Sequence, residues 1–246
     1  MKKIWGVLLV AILMAGLVTD VSAQSTLELY QSTIRQYRTT DRSATIAREQ
    51  YNELETLAAL ETLINSSREM FISRDQTLVI YSDLLYAEVA KTLSIDPSIR
   101  EQHQVNISAL RDKFKAHQEV SQKINDLDSL KVAATDFNTI SPEFKSATYQ
   151  ALIIIDLGRT KAALDSLEVL EKGIMAEADP AAQRQLKVVT DRRVAALADL
   201  EDIASDATKE NYSDEYQSRY QQTVDRLQEL HGQLQKILKL LEEAAA

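Results

Sequence analysis

Apolar residues recur along this chain in long stripes at helical spacing. Leu27, Tyr30, Ile34 and Tyr37 step by three, four and three residues, which places them on one face of a helix. Ser25-Thr26-Leu27-Glu28 has the spacing of a capping box and predicts the start of that helix, while Thr39-Thr40-Asp41 either breaks it or faces water. From about Asp41 to Phe71 the face is broader, with Tyr51, Leu54, Leu57, Ala58, Leu60 and Ile64, as in a helix touching two neighbours. Ser73-Arg74-Asp75 predicts the opening of a third helix, carrying Leu78, Tyr81, Leu85 and Val89 and ending before Asp96. Asp96-Pro97 starts a fourth. There His103, Ile107, Leu110, Phe114, His117, Ser121 and Ile124 alternate steps of four and three, the seam of a coiled coil.

Two further helix starts are written as an acidic or hydroxyl residue followed by proline, Ser141-Pro142 and Asp179-Pro180. The first residue offers a capping acceptor, and proline at the next position loses no intrahelical bond. Within the segment opened by Ser141, Leu152-Ile153-Ile154-Ile155 is apolar on all sides and predicts the centre of the core. Ala162-Ala163-Leu164 with Leu167 and Glu168 recurs 33 residues later as Ala195-Ala196-Leu197 with Leu200 and Glu201. Two antiparallel helices using one small-residue face would produce such an echo. If Gly158 instead breaks the first helix, Ile154, Leu157 and Gly158 resemble the opening of a single tetratricopeptide unit, a resemblance that implies a short peptide-binding groove. An unbroken helix from Pro142 to about Ala176 excludes that groove.

The last helix is predicted to open after Asn211. Tyr212, Tyr216 and Tyr220 lie on successive four-residue steps, and Thr223, Leu227, Leu230, Leu234, Ile237 and Leu241 follow in heptad register. Tyrosine brings large amphipathic area to interfaces. Tyr212, Tyr216, Tyr220, Leu234, Ile237 and Leu241 are therefore the candidate partner-binding residues, Tyr220 to Leu230 being assigned to the core and Leu234 to Leu241 to an exposed docking seam. The plainer reading packs the tyrosine rings on a neighbouring helix with their hydroxyls in water.

Met1 to Ala23 has the layout of an export signal: Lys2 and Lys3, the uncharged run Ile4 to Val18, then small residues at Val21-Ser22-Ala23. Cleavage is expected before Gln24. The chain then divides into a signal peptide, residues 1–23, and a helical bundle domain, residues 24–246. Its location is exported, whether periplasmic, cell-surface or extracellular, and membrane attachment is expected only if the leader stays uncleaved.

Composition fixes the class. Five glycines and three prolines in 246 residues leave too few turn formers for a sheet, and strong helix formers dominate. The fold class is all-α: an antiparallel bundle of about six long helices with coiled-coil-like packing. The net charge of −9 becomes −10 once two lysines and one aspartate leave with the signal. Lys and Arg are not clustered, so nucleic acid is not an expected partner. Cysteine is absent, which excludes thiol catalysis, disulfides and a lipid-bearing cysteine after the apolar run.

Catalytic motifs are missing as well. There is no Gly-x-Ser-x-Gly elbow and no glycine-rich phosphate loop. His103 and His117 sit 14 residues apart, about 21 Å of helical rise, too far to share one ion. They read as polar seam positions that fix register, whose joint replacement by Leu or Gln should leave the fold intact, and no catalytic residue, metal or cofactor is assigned. Asn65, Asn106 and Asn211 each begin a short sequon. The function expected is that of an exported, non-catalytic bundle acting through a protein partner or self-association, or in cell-envelope structure. The alternatives are the tetratricopeptide-like peptide-binding module and a bundle carrying a metal or cofactor.

Overall fold

A computed structural model describes residues 21–176, 180–207 and 216–244. Among the described residues there are six helices and no strand: α1 (Val21–Leu54), α2 (Leu57–Ala90), α3 (Pro97–Gln122), α4 (Leu127–Met175), α5 (Pro180–Ala207) and α6 (Tyr216–Ala244). The chain is all-helical, as its shortage of turn residues requires. No helix of the described residues is long and apolar enough to cross a membrane. The expected leader lies outside the described residues apart from Val21 to Ala23, which belong to α1.

Several helix boundaries differ from those expected. Ser25 to Glu28 lies within α1 rather than at its start, which is Val21. Thr39 and Thr40 do not break that helix, because their hydroxyls donate to the carbonyls of Arg35 at 3.1 Å and Tyr37 at 2.9 Å. The break comes instead at Glu55-Thr56. Glu55 adopts φ 47° while its amide donates to Tyr51 O at 2.9 Å, and Thr56 Oγ1 accepts from the Ala59 amide at 3.3 Å. Neither glycine nor proline marks this turn, so the hydrophobic pattern runs straight through it. A side chain in the left-handed region is strained, and Glu55→Gly should raise the urea midpoint by an amount equal to at most about 1 kcal/mol.

Ser73-Arg74-Asp75 likewise sits in the middle of α2 rather than at a helix start. Ser141-Pro142 lies inside α4, which begins at Leu127. Asp126 caps it, accepting the Ser129 amide at 2.7 Å. Pro142 has no hydrogen for the Asn138 carbonyl, yet the helix continues. The other two prolines do open helices: Asp96 Oδ1 accepts the Ser98 amide at 2.8 Å ahead of α3, and α5 starts at Pro180.

α4 also passes unbroken through Gly158, which excludes the tetratricopeptide-like groove. The reason for glycine here is a close approach. A Cβ at this position would fall 2.6 Å from Thr92 Cβ and 2.8 Å from Thr92 Cγ2, and Ser94 Oγ donates to the Gly158 carbonyl at 2.6 Å. The α2–α3 connection thus rests on the bare backbone of α4. Gly158→Ala should lower the unfolding free energy by about 1–3 kcal/mol through overpacking, read as a lower urea midpoint, despite the better helix propensity of alanine.

The described residues fall into two compact units, one running to Ala87 and including Arg111–Asn138, the other formed by Glu88–Leu110 and the described residues from Thr139 onward. Both boundaries in α3 and α4 fall inside helices, so one helix serves two cores. Unit 1 is built around Ile64, Phe71, Ile124 and Ala133. α1 joins it through buried Ala44 and Ala47, a Tyr30–Tyr81 ring pair at 5.3 Å and a Thr40–Ser73 hydroxyl bond of 2.5 Å.

Unit 2 is centred on Ile153, Ile154, Leu157 and Leu164 of α4, with Ala196, Leu200 and Ile203 of α5, Leu230 of α6 and Ile95. The apolar run of α4 thus forms the centre of a core, as its lack of a polar face predicts. A second cluster joins Leu167, Leu186, Val189 and Ile237. The two copies of the 33-residue echo share the buried pair Leu167 and Leu200 but differ at Ala163, which is exposed where its counterpart Ala196 is buried.

Candidate functional site: a buried polar cluster in unit 1

Three helices bring polar side chains together inside unit 1. α2 supplies Arg74 and Asp75, α3 supplies His117 and Ser121 one turn apart, and α4 supplies the Ala133 carbonyl and the Phe137 ring. Asp75 and Ser121 are fully buried and His117 almost so. His117 Nδ1 lies 2.6 Å from Asp75 Oδ2, and Nε2 lies 2.8 Å from Ala133 O. Ser121 Oγ donates to Asp75 Oδ2 at 3.3 Å and is 3.4 Å from His117 Nδ1.

The other carboxylate oxygen, Asp75 Oδ1, accepts from Arg74 Nη2 at 3.3 Å and Nε at 3.4 Å. The Arg74 guanidinium carbon is 3.2 Å from the centre of the Phe137 ring and 4.5 Å from that of Phe71. Such stacking attracts a cation to the ring face. Phe71 and Phe137 also flank the imidazole, at 6.2 and 5.9 Å between ring centres.

Electrostatics follow from this enclosure. Burial pushes the His117 pKa down, but the bonds to Asp75 and Ala133 together with the Asp75 charge outweigh it, and the net shift is upward. Burial lowers the Arg74 pKa against the pull of Asp75. Tyr37 of α1 is raised by burial and by Asp41, while Arg74 opposes the shift.

Ser, His and Asp are the members of a hydrolytic triad, but here they are connected differently. In a triad the serine faces the ring nitrogen opposite the carboxylate. Ser121 stands on the same side as Asp75, and a peptide carbonyl occupies Nε2. With both ring nitrogens engaged and the cluster closed to solvent, this site has no nucleophile–base pair facing a substrate. Among the described residues no group of three or more His, Cys, Asp or Glu side chains could hold a metal ion.

His103 has a different environment. It is buried in unit 2, and burial alone lowers its pKa. The two histidines therefore belong to separate cores with opposite shifts, and the shared reading of them as register-setting seam positions does not describe His117, whose ring is bonded at both ends.

Unit 2 holds a second polar group. Arg193 Nε donates to Glu171 Oε2 and Nη1 to Glu168 Oε2, both at 3.1 Å. Thr190 Oγ1 donates to Glu171 Oε2 at 3.4 Å. Glu168 also accepts from Lys172 at 2.7 Å, and Lys172 first, then Arg193, holds its carboxyl below the usual range. Glu171 Oε1 is buried without a hydrogen-bond partner.

Of the residues expected to bind a partner, Tyr212 lies outside the described residues. Tyr216, Tyr220, Leu234 and Leu241 belong to α6, and their side chains are not among those described. Ile237 is fully buried against Leu167, Leu186 and Val189. The expected exposed seam is corrected at that position, because Ile237 is buried by its own chain, as are Leu230 and Thr223 seven and fourteen residues before it. Nothing in the sequence pattern anticipates the Asp75 cluster as a whole. Its only trace there is His117 and Ser121 at a four-residue step, and nothing links them to a carboxylate 42 residues earlier.

Searches against protein-family models, curated proteins and solved structures found no match to this chain.

Proposed function

We propose that this protein is an exported, non-catalytic helical bundle that acts through protein–protein contacts or as part of cell-envelope structure. The observation that carries the reading is the Asp75–His117–Ser121 cluster: a constellation with the composition of a catalytic site is closed on itself and bonds helices to one another. Exposed aliphatic residues such as Leu57 and Val169 leave apolar contact area on the surface. The export signal pattern of Met1 to Ala23 supports the location.

The arrangement we infer within unit 1 is an antiparallel bundle with coiled-coil-like packing. In unit 1 the pairs Tyr30–Tyr81 and Thr40–Ser73 run in opposite directions along α1 and α2. Asp83–Arg111, Asp75–His117 and Arg68–Ile124 do the same for α2 and α3. Such neighbours, joined by short turns, favour up-and-down topology.

Cleavage and partner capture test this function on the natural protein. Material outside the cytoplasm should begin at Gln24 and lack tryptophan fluorescence, because Trp5 is the only tryptophan in the chain. A photo-crosslinker at Tyr216 should join that material to a protein or to a second copy in intact cells. Cytoplasmic protein that retains Met1 and gives no adduct would contradict the proposal.

A further inference from the structure

Both nitrogens of the His117 ring face oxygens that accept hydrogen bonds. A peptide carbonyl has no hydrogen to give, so Nε2 carries one and donates it to Ala133 O. Asp75 also takes bonds from Ser121 and Arg74, and the hydrogen between its Oδ2 and His117 Nδ1 belongs to the pair, whichever atom it sits closer to. The cluster is therefore complete only with two hydrogens on this pair. The charged and titratable groups around it are Asp75 and Arg74 from α2 and, against Arg74, Tyr37 from α1. From α4 come the Ala133 carbonyl and the Phe137 ring.

We propose that the Asp75–His117 pair is a proton-dependent latch that holds the α4 segment of unit 1 to α3 and releases it when the pair loses its proton. One remaining hydrogen cannot serve both ends of the ring. A bond to a carboxylate is about twice as strong as one to a neutral acceptor, so the hydrogen stays on Nδ1. The Nε2 lone pair then faces the lone pairs of Ala133 O, and the bond that breaks is the one joining α3 to α4. Bonds from Arg111 to Asp83, from Gln118 to Ile72 O and from Arg68 to Ile124 O do not involve the ring and persist.

The direction follows from linkage. His117 is raised in the folded protein, so its support is fully present below the ordinary histidine value of about 6.5 and is lost as pH rises through the higher folded value. His103 acts in the opposite sense within unit 2: its pKa is lowered, so its support is present above the ordinary value and lost as pH falls through the folded one. Whole-chain melting mixes the two, and residue-level measurements separate them.

The test uses the full chain between pH 6 and 9, with ring-nitrogen NMR of His117 and amide exchange of residues 127–138 corrected for base catalysis. At pH 6 both ring nitrogens should be protonated, and His117 should titrate above about 6.5. Protection of residues 127–138 should fall by up to about tenfold per pH unit through that titration. Asp75→Asn should bring the His117 titration below its ordinary value and abolish the pH dependence, whereas His103→Gln should leave both unchanged. A ring that titrates at or below its ordinary value, or α4 protection that stays flat while the ring titrates, overturns the latch. The wild-type titration decides this even where Asp75→Asn fails to fold.

Discussion

Replacing His117 by Leu should destabilise unit 1 by about 3–5 kcal/mol, the range for removing one partner of a buried ion pair. The substitution leaves Asp75, with no exposed surface, facing an isobutyl group where it had a bond of 2.6 Å. It also strips the donor from Ala133 O. Urea unfolding of the full chain followed by circular dichroism should show an early transition that the wild type lacks. The seam pattern alone predicts the reverse, a neutral or stabilising change, because polar residues at heptad positions ordinarily weaken packing. His103→Leu, which removes no such bond, should be tolerated far better.

Ile237→Lys should cost unit 2 at least about 4 kcal/mol, since it places an unpaired charge in an apolar contact. Ile237 is enclosed by Leu167, Leu186 and Val189, so the loss should appear as a fall in melting temperature of the monomer, independent of protein concentration. A variant that melts like the wild type but no longer associates would show instead that this residue meets a partner.

How much of this was legible in the sequence depends on whether the signal was local. The helix starts at Asp96-Pro97 and at Pro180 were readable because a cap such as Asp96 and a proline act on their own backbone. The apolar run Ile153 to Ile155 was readable because a helix without a polar face has nowhere to lie but inside. Ser73-Arg74-Asp75 and Ser141-Pro142 carry the same local chemistry and misled. In α2 the polar triplet is turned inward to partners on other helices. In α4 flanking turns carry the helix across a proline that withholds one bond. Glu55-Thr56 shows the converse, a turn made by an ordinary residue held at φ 47°. Pairings such as Asp75 with His117 form between helices, and no spacing rule within one helix reaches them. The seam correctly placed His117 and Ser121 on one face; what that face met was written elsewhere.

The central claim is that Asp75 and His117 are bonded to each other and hold α2, α3 and α4 together. A double-mutant cycle of Asp75→Leu and His117→Leu, measured by urea unfolding, tests it most directly. Each single change should cost several kcal/mol, roughly 3–5. The double variant strands neither member of the pair, and Arg74 loses Asp75 in it just as in the single Asp75 variant, so its loss should fall short of the sum of the two single losses by a coupling of about 2 kcal/mol or more. Losses that simply add, to within about 0.5 kcal/mol, would mean that the two side chains do not act on each other in the folded chain and would contradict the account.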